Sequence, residues 1–252
     1  MIRIILSGCN GHMGQVLTEM IGADPMTEVV AGIDVAPASA TRDYPVFSTP
    51  AECKVEADAC IDFSHFSAVD ALLDYCAEKN LPLVLCTTAL TDATLEKVNE
   101  VSGKVAILRS ANMSVGINLL MKIIKEAAAL LAPKGYDMEI VEAHHNRKID
   151  APSGTALALG DSLNEGVNNE YHFVFDRSQR HEKRDPKEIG ISAVRGGSIV
   201  GDHQIMFCGP DEVIEFRHTA YSRSIFAKGA IEAAKYLAGK PAGLYDMSDV
   251  IG

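Results

Sequence analysis

A short apolar run, Ile2–Leu6, ends in the loop Gly8-Cys9-Asn10-Gly11-His12-Met13-Gly14, and a helical pattern over Met13–Ile21 follows at once. Glycines at G-x-x-G-x-x-G spacing let the chain turn tightly, bring backbone close to a ligand, and seat a helix close to a strand. The N–H groups at the helix start then suit a pyrophosphate. A second strand pattern, Glu28–Ile33, leads to Asp34, 20 positions beyond Gly14. An acid there is placed to bond the adenosine ribose hydroxyls. A glycine turn alone is weak evidence. Strand, loop, helix, strand and acid in register point to a dinucleotide-binding α/β fold.

The same register bears on the cofactor. Asp34 is followed by Val35, not by Arg or Lys. A carboxylate accepts from a 2′-OH and repels a 2′-phosphate, so NADH is favoured, with NADPH possible. A protonated His12 offsets part of that repulsion, but an ordinary pKa of about 6.5 makes the effect partial at neutral pH. His12 as a solvated loop residue is the equally simple reading.

Strand and helix patterns continue to alternate through Asp58–Phe63, Ala68–Glu78, Leu81–Cys86, Asp92–Val101 and Val105–Leu108, which predicts βαβ units and a parallel sheet. The segment from Ala36 to Pro50 has no clear period and reads as a loop. Cys86-Thr87-Thr88 and Ser110-Ala111-Asn112-Met113 each follow an apolar strand. Ligands sit at such carboxyl ends in open α/β sheets. Helix capping by the threonines and a turn at Asn112 are the plainer alternatives.

After Ser110 the pattern changes. A long apolar helix (Val115–Leu131) and a strand (Asp137–Ala143) precede a helix ending near Leu163. A polar stretch to Glu188 and three strands (Ile189–Val194, Ile199–Phe207, Glu212–His218) follow, then a last helix over Ile225–Leu237. This half reads as α+β with an open mixed or antiparallel sheet.

Between that first strand and the helix after it lies Glu142-Ala143-His144-His145-Asn146-Arg147-Lys148-Ile149-Asp150-Ala151-Pro152-Ser153-Gly154-Thr155. The corner offers imidazoles, a fixed positive charge at Lys148 and helix-start N–H groups, which an anionic substrate awaiting a proton needs. At a strand end His144 and His145 aim to opposite sides, so one can face a ligand while the other is structural. There is no HExxH and no adjacent Cys/Glu set for zinc, and no G-x-S-x-G nucleophile elbow, so no metal is expected.

The net charge of −11 argues against nucleic acid as the main partner. It leaves room for a local basic pocket, and Arg147, Lys148, Arg177, Arg180, Lys183, Arg184, Lys187 and Arg195 crowd one third of the chain. No apolar run approaches the ~20 residues of a membrane span, and the start shows no signal-peptide cleavage pattern. The six cysteines lack metal-type spacing. Reduced buried thiols and a cytoplasmic location are expected.

The chain resembles the 4-hydroxy-tetrahydrodipicolinate (dihydrodipicolinate) reductase family of the diaminopimelate route to lysine. The resemblance rests on the Gly8–Gly14 loop, Ile61-Asp62-Phe63-Ser64, Thr87-Thr88, Asn112 to Asn118, the Glu142–Thr155 signature, Val194-Arg195-Gly196-Gly197, Ile199 to His203 and Ser222-Arg223. It covers essentially the whole length and implies a Rossmann domain over residues 1–114, completed by 223–252. A substrate-binding and oligomerisation domain over 115–222 would assemble a homotetramer. His144 is then the general acid and Lys148 its catalytic partner. His145, Ser153, Gly154 and Thr155 hold a small dicarboxylate substrate. Gly8, Cys9, Asn10, Gly11, His12, Met13, Asp34, Cys86, Thr87, Thr88, Ser110, Ala111, Asn112 and Met113 hold the cofactor. Cys86 stands where glycine is usual, Met113 where Phe or Tyr is usual, and Val35 where many members carry a basic residue. Another two-domain NAD(P)H dehydrogenase of an amino-acid derivative, or a nucleotide sensor without chemistry, are the competing readings.

Overall fold

The computed structural model describes residues 1–36 and 42–252. They fall into two compact units, Met1–Ser114 with Ser224–Gly252, and Val115–Arg223. In the first, β1 (Ile2–Ser7), α1 (His12–Ala23), β2 (Thr27–Ile33), β3 (Val46–Phe47), β4 (Ala59–Asp62), α2 (Phe66–Lys79), β5 (Leu83–Leu85), α3 (Asp92–Ser102) and β6 (Ala106–Leu108) follow in order. The segment from Ala36 to Pro50, expected to be loop, contains β3, which adds its two residues in parallel to Gly32 and Ile33. Residues 37–41 of that segment lie outside the described residues.

The second unit comprises α4 (Val115–Leu131), β7 (Asp137–His144), α5 (Gly154–Gly166), β8 (His172–Phe175), β9 (Glu188–Arg195), β10 (Gly201–Cys208) and β11 (Val213–Ala220). The chain then returns to the first unit with α6 (Ser224–Leu237), β12 (Gly243–Tyr245) and α7 (Met247–Ile251). β8 corrects the expected uninterrupted polar stretch before Glu188. Its His-Phe-Val-Phe run pairs in parallel with the start of β9 and buries Val174.

The first sheet is wholly parallel, in the order β12-β6-β5-β4-β1-β2-β3. Its core follows from the strand period of two. Ile4 and Leu6 of β1 pack with Leu17 and Ile21 of α1 and with Ala227, Ala230, Ala234 and Leu237 of α6. Ile5, between them, packs with Leu72 and Leu73 of α2 and Val98 and Val101 of α3. Both faces are covered, as a parallel sheet requires.

The second sheet has the order β11-β10-β7-β9-β8, with β7, β8 and β9 parallel and β10 antiparallel to both its neighbours. Alternate residues of β7 are buried: Met138, Ile140, Glu142 and His144. Ile124 and Ala128 of α4 and Leu159 and Leu163 of α5 join Met138, Ile140, Ile205 and Phe207 in one core. α4 and α5 lie close because Gly166 has no side chain; a Cβ there would stand 3.0 Å from that of Ala128.

Candidate active site

In the first unit the glycine loop closes on itself. Gly8 has φ +78, and a Cβ on it would run into the Phe63 backbone, 2.7 Å from its carbonyl carbon. Gly14 is excluded from carrying a side chain by Cys9, whose Cα would lie 2.5 Å from the added Cβ. Gly11 caps α1 with no side-chain acceptor on the helix-start N–H groups. A cavity of about 570 Å³ opens there, lined by Gly8, Asn10, Gly11, Asp34, Phe63 and His65 among others. Asp34 is fixed in its wall: one carboxylate oxygen accepts from the Asn10 N–H and the other from the Ala36 N–H, each at 2.8 Å.

The other residues expected at this site separate into backbone and side-chain roles. The Cys9 side chain is buried under Gly32, and burial pushes its thiol up to about 11, so only its backbone faces the loop. Its carbonyl accepts from Arg42 at 2.8 Å. His12 is the exposed first residue of α1 rather than part of the loop, and Met13 packs against the core. Cys86, Thr87 and Thr88 follow β5, and Ser110, Ala111, Asn112 and Met113 follow β6, at the carboxyl edge of the same sheet but outside that cavity. Thr87 Oγ1 donates to buried Asp62 at 2.5 Å. Asn112 accepts from the Ser114 N–H at 2.8 Å, the turn role foreseen as the alternative. Met113 is buried, and its carbonyl occupies the space left by Gly229.

In the second unit the corner after β7 is held by one carboxylate. Glu142 is 0% exposed and accepts four hydrogen bonds. His144 Nδ1 lies 2.6 Å from Oε2, Arg195 reaches both oxygens at 2.8 and 2.7 Å, and the Ser153 N–H donates at 3.0 Å. Burial pushes this carboxyl up, but Arg195, His144 and Ser153 outweigh it and hold it below the usual carboxylate range. His144 ends β7, 8% exposed, edge-on to His203 at a centroid separation of 5.2 Å. Burial, with His144 beside it, lowers His203 to about 4, so it is neutral at neutral pH. His145 is half-buried, and burial together with Arg147 and Arg223 also disfavours its protonation.

Ser153 is buried and caps α5, accepting from the Ala156 N–H at 3.1 Å, while its Oγ lies 3.3 Å from His203 Nε2. Lys148 is paired with Asp150 at 2.9 Å. That pairing holds the Asp150 carboxyl below the usual carboxylate range. Thr155 follows in the first turn of α5. In the sequence Gly201 and His203 stand out only as parts of a motif, Arg195 as part of a motif and of the basic crowding, and Glu142 as the start of its own motif. Their cross-strand pairing gives them their place, since His203 lies opposite Glu142. The basic stretch resolves into ion pairs: Arg177 with buried Glu188, Arg184 with Asp137 and Glu139, Lys187 with Glu170.

Residues 2–113 match the family described as dihydrodipicolinate reductase, N-terminus, and residues 116–251 its C-terminus counterpart. The 4-hydroxy-tetrahydrodipicolinate reductase of Caldanaerobacter subterraneus subsp. tengcongensis is 48% identical over 251 residues, covering 100% of this chain and 98% of the relative. That of Clostridium novyi is 47% identical over 252 residues, with the same coverage of each chain, 100% and 98%. A dipicolinate-bound dihydrodipicolinate reductase from Paenisporosarcina sp. TG-14 superposes with a TM-score of 0.82 at 25% identity, over 98% of this chain and 97% of that one. With both halves of the family matched and relatives near half identity along the full length, the chain belongs to the dihydrodipicolinate reductase family.

Proposed function

We propose that the protein reduces dihydrodipicolinate, formed by loss of water from 4-hydroxy-tetrahydrodipicolinate, to tetrahydrodipicolinate, with His144 as general acid and Lys148 as its electrostatic partner. The observation that carries this reading is the buried Glu142–His144 pair beside Lys148 and the start of α5. The family is one of NAD(P)H-dependent reductases, and the first unit fits a dinucleotide: Gly8 and Gly14 leave room for backbone approach, and Asp34 stands in a cavity of about 570 Å³. Gly8 to Met13 and Asp34 would hold its phosphates and ribose, and residues 86–88 and 110–113 would flank it. When bound, the nicotinamide supplies hydride.

Hydride addition to a conjugated C=C–C=N system leaves negative charge that a proton must quench. His144 supplies that proton and Lys148 stabilises the charge as it develops. The substrate is a dianion, which His145 and Ser153 and, at the start of α5, Gly154 and Thr155 would hold. Val35 beside Asp34 favours NADH over NADPH. A homotetramer belongs to the same reading, supported by Val141, Ala143 and Met206, which alternate with the buried positions of β7 and β10, and by exposed Val194 near the end of β9. Six free cysteines suit a cytoplasmic location.

The test follows absorbance of the nicotinamide band while substrate is generated from pyruvate and aspartate semialdehyde by a coupled synthase. Consumption of NADH in preference to NADPH is expected, and its loss in His144→Gln. Cofactor binding with no consumption of either would leave a different dehydrogenase or a sensor.

A further inference from the structure

Neutral imidazole carries its hydrogen on one nitrogen only, and a general acid must present the right one. Four groups donate to the Glu142 carboxylate, and none accepts from it: Ser153 N, Arg195 Nη1 and Nη2, and His144 Nδ1. An ionised carboxylate is acceptor-only, so it suits such a ring of donors, whereas a carboxamide would set its own N–H₂ against one of them. Facing an obligatory acceptor, Nδ1 keeps its hydrogen in both ionisation states of the ring. The exchangeable proton is therefore on Nε2.

Two further contacts set the ring's direction. A Cβ at residue 201 would lie 3.2 Å from His144 Nε2, so Gly201 keeps that nitrogen clear. His203 meets the ring at an interplanar angle of 75° and limits its rotation. Arg195 ties this assembly to the corner itself: beyond Glu142, its Nη2 donates to the Asp150 carbonyl at 2.6 Å.

We propose that Glu142 and Arg195 are positioning residues for the reduction. Glu142 locks His144 as the Nδ1–H tautomer, so that Nε2 is the nitrogen that gives up the proton, and Arg195 keeps Glu142 ionised and aligned with the Lys148–Asp150 loop. This rests on the assignment of His144 as the acid. In the step it describes, the Nε2–H bond breaks and a C–H bond forms with the electron pair left on the substrate by hydride addition. The imidazolium becomes neutral imidazole with its remaining hydrogen on Nδ1, and Glu142 keeps its charge throughout.

The experiment is a long-range ¹H–¹⁵N spectrum of the histidine-labelled protein, with His144 assigned by its absence in His144→Gln, together with steady-state kinetics of Glu142→Gln, Glu142→Asp and Arg195→Lys. In the neutral ring Nδ1 should be protonated and Nε2 bare. Glu142→Gln should lose that preference and lower kcat about 10²-fold, with KM within about 3-fold. Glu142→Asp should recover part of kcat, because it keeps an acceptor-only group. A bare Nδ1 in the wild-type ring, or Glu142→Gln with both native tautomer and native kcat, overturns the proposal. If Glu142→Gln does not fold, the wild-type tautomer and the kcat of Arg195→Lys decide it. Failure of the underlying acid assignment is read separately, as undiminished turnover of His144→Gln, and the tautomer is measured whatever that turnover is.

Discussion

Lys148 Nζ lies 2.9 Å from Asp150 Oδ1, and this pairing holds the Asp150 carboxyl below the usual carboxylate range. The cation assigned to the reaction is thus already engaged by a carboxylate of the chain itself. The Asp150 side chain is 56% exposed, and an exposed pair is worth only about 0.2–1 kcal/mol. Asp150→Asn should therefore lower KM for the substrate by about two- to five-fold and leave kcat little changed. A raised KM would show instead that Asp150 aims Lys148 at the substrate. Lys148→Met should lower kcat/KM by about 10²-fold or more.

His203 predicts how stability depends on pH. Unfolded, the imidazole takes up its proton near the ordinary 6.5; folded, burial lowers this to about 4. Between those values the unfolded chain binds more protons, so this contribution to stability is present above about 6.5 and is lost as pH falls toward 4. The shift corresponds to at most about 3 kcal/mol. Urea unfolding of the wild type and His203→Gln at pH 7 and pH 5 should show a smaller acid loss in the variant. Equal losses would place the acid sensitivity elsewhere.

Asp34 carries the cofactor prediction. Its oxygens are held by the Asn10 and Ala36 N–H groups, so its charge cannot swing away from an incoming 2′-phosphate. Asp34→Asn should improve NADPH binding by about tenfold relative to NADH, about 1.4 kcal/mol. Titration of the two cofactors by nicotinamide fluorescence checks it, and an unchanged ratio would remove Asp34 from the discrimination.

At Gly14 the obstruction is backbone, Gly8 O and Cys9 Cα, rather than a side chain that can move. Gly14→Ala should cost about 1–3 kcal/mol in denaturant unfolding and weaken cofactor binding, because α1 must back away from the loop. Gly22→Ala on the same helix meets nothing within 4 Å and is the control.

What could be read in the chain followed the reach of each signal. α4 was bounded at Val115 and Leu131 from its period alone, because seventeen residues give the apolar stripe several turns. β3 and β12 have two and three residues, too short for any period to show. In β8 two phenylalanines and a valine sit between charged neighbours, and only pairing with β9 makes them a strand. The site divides in the same way. His144, Lys148 and Ser153 are legible because one corner holds them together. The bond between Arg195 and Glu142 spans 53 positions and depends on β7 and β9 lying side by side in register, which no local pattern reports. His12 stands exposed at the first residue of α1, where the loop meets the helix, a place that suits both its cofactor reading and its reading as a solvated residue.

The return of the chain to its first unit also sets an order of assembly. Ala227, Ala230, Ala234 and Leu237 of α6 fill the same core as Ile4 and Leu6 of β1, so β1 leaves the ribosome long before the helix that covers it. The second unit draws its elements from one continuous stretch and can close while that face of β1 is still bare. The nucleotide-binding half is begun before the second unit and finished after it, and a nascent chain holds no complete cofactor unit until synthesis has passed α6.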